Sequence, residues 1–89
     1  MRNDPSHAAF LGALGVRVRE LRKARGWSQE QLAFACKLHR TYIGAVERGE
    51  RNVSSVNLFK LASAFGVPVS ALFEGSGGDG ALDGEERRT

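Results

Sequence analysis

The sequence has little of what catalytic, metal-binding and membrane architectures need. Its single cysteine, Cys36, rules out an internal disulfide framework. With two histidines and no second cysteine, a four-ligand Cys/His zinc site is excluded too. No apolar run approaches the ~20 residues that span a bilayer, and the N-terminus lacks the basic-then-apolar layout of a signal peptide. No Ser/His/acid set, phosphate-cradling glycine motif or metal-ligand cluster is present, so neither an enzyme nor a cofactor finds support. Reduced cytosol is the expected compartment, with no membrane partner.

What remains suits one folded domain. Eighty-nine residues allow a small core, and 42% hydrophobic content with five Phe, one Trp and one Tyr favours a globule over a disordered chain. The net charge of +3 hides an asymmetry. Residues 1–73 hold 11 Lys/Arg against 5 Asp/Glu, a net +6, while residues 74–89 hold 2 against 5, a net −3. The folded part is thus basic, which favours a polyanionic partner over a merely solvated face.

The chain is organised around Trp27–Arg51, WSQEQLAFACKLHRTYIGAVERGER. Ser28 with Gln31 three residues on makes an S-x-x-Q capping box, which predicts a helix start. Leu32, Ala33 and Cys36 form its apolar stripe, and a break follows at Lys37–Leu38–His39. Ile43, Val46 and Glu47 share one face of the next helix, which Gly49 can end in left-handed backbone. Two helices joined by so short a turn must cross steeply, the helix-turn-helix arrangement. If the turn is left-handed at Lys37, lysine costs about 1 kcal/mol there. His39 stands where Ser, Thr or Asp would cap better.

Around this unit the pattern predicts three further helices. Phe10, Leu11, Leu14, Val18 and Leu21 recur at helical spacing. Asp4-Pro5 suits a helix start, but Gly12 and Gly15 weaken the first half, so the firm part is expected over Leu14–Ala24, ending at Gly26. Arg17 and Arg19 read as surface charges. Ser54 or Ser55 caps a fourth helix with Val56, Phe59 (or Leu58), Leu61, Ala62 and Phe65 inward, and Gly66 stops it. Val69–Phe73 forms a short fifth. The expectation is an all-α orthogonal bundle of five helices over 10–74, a flexible segment at 1–9, and a flexible glycine-rich acidic tail at 75–89.

LGVRVRELRKARGWSQEQLA, YIGAVERGER and LFKLASAFGVPVSALF together resemble the XRE/Cro/C1-type helix-turn-helix family. That resemblance implies a lambda-repressor-like DNA-binding domain with helices 2 and 3 as the motif. HRTYIGAVERGERNVS is similar within that family to the controller proteins of restriction–modification systems, dimeric regulators of their own and the endonuclease operons. The family further implies an ion pair between the first and third helices, here Arg22 and Glu47. The residues agree: Glu47 shares the inward face with Ile43 and Val46, where an acid needs a partner, and a guanidinium fork matches a carboxylate. The alternative is two half-exposed surface charges.

In such a motif the start of the recognition helix reaches base edges. The inward face leaves Thr41, Gly44, Ala45 and Arg48 outward, with Arg40 pointing forward. Arg40 is expected to read guanine, the alternative being a surface salt bridge to Glu47 or Glu50. Thr41 can meet a base edge or methyl, and Gly44 and Ala45 are small enough to seat the helix deeply. His39 touches DNA or merely caps the helix. Tyr42 reaches a phosphate or packs within the domain. Gln29, at the second helix's N-terminus, is a phosphate contact or a solvent-facing residue. Arg48, Arg51, Asn52, Ser54 and Ser55 complete the DNA-backbone set, with Arg48 alternatively solvated.

Val69, Leu72 and Phe73 form the expected homodimer interface or else finish the monomer core. The expected function is a cytoplasmic, nucleoid-associated regulator of bacterial or phage type, binding a two-fold double-stranded DNA operator. An antitoxin or adaptor working through a protein partner is the alternative.

Overall fold

The computed structural model describes residues 5–74. The expected tail at 75–89 and the first four residues of the expected flexible segment lie outside the described residues. Four α-helices, α1 (Pro5–Ala24), α2 (Gln29–Cys36), α3 (Arg40–Glu47) and α4 (Ser55–Phe65), precede a terminal 3-10 turn, Val69–Phe73. The all-α bundle is as expected, except that its fifth element is a 3-10 turn. Pro68 sets that geometry: its carbonyl accepts the Ala71 N–H at 2.9 Å, an i to i+3 bond.

Local chemistry accounts for most element boundaries. The Gln31 N–H donates to Ser28 Oγ at 3.0 Å and the Ser28 N–H to Gln31 Oε1 at 2.7 Å, closing the capping box at α2. Ser54, not Ser55, caps α4, its Oγ accepting from the Asn57 N–H at 3.1 Å. Lys37 is left-handed, with φ 61° and ψ 42°, and His39 occupies the N-cap of α3 with no side-chain cap bond. Both weak points read in the motif are therefore present.

Leu14, Val18 and Leu21 of α1 meet Leu32, Ala33 and Cys36 of α2, Ile43 and Val46 of α3, and Leu61, Ala62 and Phe65 of α4 in one core. On α4 the inward stripe is Leu61, Ala62 and Phe65, all buried, with Leu58 half-buried at its start, at i, i+3, i+4 and i+7 counted from Leu58. Val56 and Phe59, expected inward, lie off that stripe and are exposed.

Three further expectations are corrected. Pro5–Ala9, expected in the flexible segment, form the first turns of α1. Gly15 is a contact point more than a weakness, because a Cβ there would stand 2.4 Å from the Val46 carbonyl oxygen and 2.6 Å from that of Glu47. A Cβ at Gly49 would stand 3.0 Å from Gly12 Cα, so α1 crosses the end of α3 backbone to backbone. Arg17, read as a surface charge, is half-buried and donates from Nε to the Ala71 carbonyl at 2.8 Å, tying the 3-10 turn to α1. Arg25 pins the other end of α1: it donates to the Leu21 carbonyl at 3.0 Å and to the Phe65 carbonyl, and lies over the Phe65 ring.

Two substitutions should move stability in opposite directions. Gly15→Ala is expected to lose about 1–3 kcal/mol by overpacking, although alanine is the better helix former. Lys37→Gly is expected to gain about 1 kcal/mol by relieving left-handed backbone. Urea midpoints check both signs; a stabilised Gly15→Ala would contradict the close crossing of α1 and α3.

Candidate nucleic-acid interface

The interface begins from a buried carboxylate. Glu47, on the last turn of α3, receives Arg22 Nε at 2.6 Å and Nη2 at 3.0 Å, a bidentate pair whose side chains are only 10% and 4% exposed. These hydrogen bonds hold the Arg22 pKa above its ordinary value, against the opposing pull of burial. Arg22 Nη1 donates to the Trp27 carbonyl at 2.8 Å, and Gln29 Nε2 donates to Glu47 Oε1 at 3.1 Å. One carboxylate thus ties α1, the turn before α2, the start of α2 and the end of α3.

With its inner face fixed, α3 presents its beginning. His39, Arg40 and Thr41 are exposed. Among the described residues Arg40 pairs with neither Glu47 nor Glu50 but with Glu30, at 4.0 Å between side chains 59% and 79% exposed. Such a pair contributes at most about 1 kcal/mol and leaves the guanidinium free to turn to another acceptor. Arg48 is exposed and pairs with Glu50 at 3.0 Å.

Gly44 and Ala45 depart from expectation, for both are buried. Arg48 and Gln29 cover Gly44: a Cβ there would meet Arg48 Nη1 at 3.2 Å and Gln29 Oε1 at 3.5 Å. Beyond Gly49 the chain turns back, and the Glu50 N–H bonds the Ala45 carbonyl at 2.9 Å, closing over that turn of the helix. Neither residue offers surface to a base in this arrangement.

The flank of α3 is built from contacts the sequence pattern missed. Tyr42 packs on the core while its hydroxyl accepts from Asn57 Nδ2 at 3.1 Å, and the Arg51 guanidinium lies 5.2 Å from its ring centroid. Arg51 is therefore held beside α3. His7 Nε2 and Asn52 Oδ1 are 2.8 Å apart, linking the first turn of α1 to the loop before α4. These pairings are 15 and 45 residues apart in sequence, beyond any local signal. Ser54 spends its oxygen on the cap and Ser55 is exposed beside it. Cys36 is buried, and burial pushes its thiol pKa up, which suits a core residue and not a nucleophile.

Two short helices joined by the turn Lys37–His39, the second with an exposed basic start and braced from behind by an ion pair, define a helix-turn-helix DNA-binding protein. The helix-turn-helix family model matches residues 18–72, and the chain belongs to that family of non-enzymatic transcriptional regulators. It is 49% identical over 61 residues to control protein C.BamHI of Bacillus amyloliquefaciens, covering 67% of this chain and 75% of that one. It is 48% identical over 64 residues to control protein C.SmaI of Serratia marcescens, covering 72% and 76%. Among solved structures, the restriction-modification controller protein C.AhdI from Aeromonas hydrophila superposes with a TM-score of 0.72 at 55% identity, covering 73% of this chain and 98% of that one. Among the described residues no helix is long and apolar enough to cross a membrane.

Glu47→Ala should strand a buried guanidinium and lose about 3–5 kcal/mol of stability. Urea unfolding measures it; a loss of about 1 kcal/mol or less would place the pair among ordinary surface contacts.

Proposed function

We propose that the protein binds a two-fold operator as a homodimer, with α3 in the major groove, and controls a restriction–modification operon that includes its own gene. The observation that carries this reading is the pairing of an exposed Arg40–Thr41 start, held only by a loose surface pair to Glu30, with an α3 whose roll is locked by Arg22, Gln29 and Glu47. A recognition helix discriminates bases only when its angle is fixed. The names of C.BamHI, C.SmaI and C.AhdI as control or controller proteins support the operon assignment.

In this reading Arg40 and Thr41 read bases, with His39 alongside, and Gly44 and Ala45 act as packing residues. Gln29, Tyr42, Arg48, Arg51, Asn52, Ser54 and Ser55 serve the phosphates. Gln29 does so from the amide-rich start of α2, with its side chain shared with Glu47.

The dimer face also changes from the expected set. Leu72 is fully buried within its own domain, so replacing it with Asp would test folding and not association. Phe73 is 45% exposed and stacks on Phe10, 53% exposed, with centroids 5.5 Å apart. Val16, also exposed, continues the ridge along α1 from Phe10 and Ala13. This apolar end, with Val69 half-buried beside it, is the surface we assign to the partner copy.

Binding to duplex DNA from upstream of its own gene, against scrambled duplex across a salt series, tests the proposal. The expected result is a symmetric footprint with a preference of about a thousandfold or more. Equal, steeply salt-dependent binding to both duplexes would contradict it. Arg40→Ala should lose about 1–3 kcal/mol of discrimination at one position per half-site.

A further inference from the structure

A second apolar surface lies away from the α1 end, where α2 runs beside α4. Val56 and Phe59 are 61% and 64% exposed at i and i+3 on α4. Between the two helices opens a groove of about 230 Å³, bounded by Ala35, Cys36 and Lys37 on one side and Phe59, Lys60 and Ala64 on the other. It is smaller than the roughly 300–1,000 Å³ of small-molecule sites, and better matched to one side chain of a peptide. Lys37 and Lys60 flank it, and neither is among the ion pairs of the described residues. Lys37 also holds left-handed backbone that glycine would occupy more cheaply, a local cost of the kind found at functional positions.

An apolar groove between two unpaired cations suits an apolar residue set among carboxylates. Residues 75–89 of this chain carry that pattern: Leu82 is their one large apolar residue, with Asp79, Asp83, Glu85 and Glu86 around it. Leu82 lies eight residues past Glu74, a reach of roughly 26–29 Å. The 3-10 turn that leads to Glu74 packs directly on α4, and the described residues span 37 Å at their longest. Tethering supplies an effective concentration on the order of millimolar, enough to populate a contact too weak for a separate peptide.

We propose that residues 79–86 dock in cis on the α2–α4 groove, with Leu82 between Phe59 and Ala35 and the flanking carboxylates against Lys37 and Lys60. Docking there covers exposed aromatic surface and leaves the start of α3 open. It does not depend on the operator assignment.

Amide NMR spectra of the full chain test this. Leu82→Asp should shift the amides of residues 35–37 and 59–64 while leaving those of Arg40 and Thr41 in place, and raised salt should reproduce part of that shift. In a Lys37→Gly/Lys60→Gln background, which removes both cations without disturbing the core, the same Leu82→Asp change should move nothing at the groove. That loss of coupling separates docking from a local effect of either substitution. Three outcomes would overturn the proposal: no shift at the groove on Leu82→Asp, shifts at Arg40 and Thr41 in its place, or groove shifts that grow with protein concentration. The second would mean that the segment lies on the DNA face, and the third that a second copy fills the groove.

Discussion

The Arg22–Glu47 pair is the constraint on which the rest of the structure depends. Burying a carboxylate and a guanidinium is costly, and a buried pair is poor evidence of net stability. What it supplies here is direction. Glu47 takes three N–H donors from two helices, two from Arg22 on α1 and one from Gln29 on α2, so α3 cannot roll or tilt without breaking several bonds together. The close crossing at Gly15 and the return of the chain at Gly49 hold the same end of α3 from behind.

That bracing matters because α3 is weak in isolation. It has eight residues, well below the roughly 12–15 at which even good helix formers become marginal alone, and its N-cap side chain makes no bond. The preceding turn carries a left-handed lysine. Tertiary contacts, not propensity, therefore keep the recognition helix folded. Its exposed start is left to Arg40 and Thr41, whose side chains are free to choose acceptors outside the protein.

Much of this was legible in the sequence, because it rests on local rules. The capping box at Ser28 and Gln31, the apolar stripes of α1 to α3, the left-handed Lys37 and the glycines that end helices all follow from spacing and backbone sterics. The ion pair was legible through the family resemblance, which implied Arg22 and Glu47, and the acid on an apolar face agreed with it. What escaped was tertiary. Propensity made Gly15 a defect, whereas its missing Cβ admits the α3 carbonyls. A helical projection put Gly44 and Ala45 outward, but side chains and loop from elsewhere cover them. The same projection could not separate Leu58 from Phe59, nor foresee that Leu72 fills its own core and leaves Phe73 and Phe10 outside. Tyr42 with Asn57 and His7 with Asn52 are long-range pairs for which no local pattern exists.

The most direct test separates direction from stability. In an Arg22→Met/Glu47→Leu double variant an apolar pair fills the space of the buried ions, which is commonly neutral or stabilising. The measurement is the ratio of affinities for duplex DNA from upstream of its own gene and a scrambled duplex, taken beside the urea midpoint. The expected result is a midpoint near that of the parent protein with a ratio lowered by about tenfold or more, equivalent to the loss of one base contact. A double variant that stays folded and keeps the full ratio would contradict it, since α3 would then be aimed without the pair.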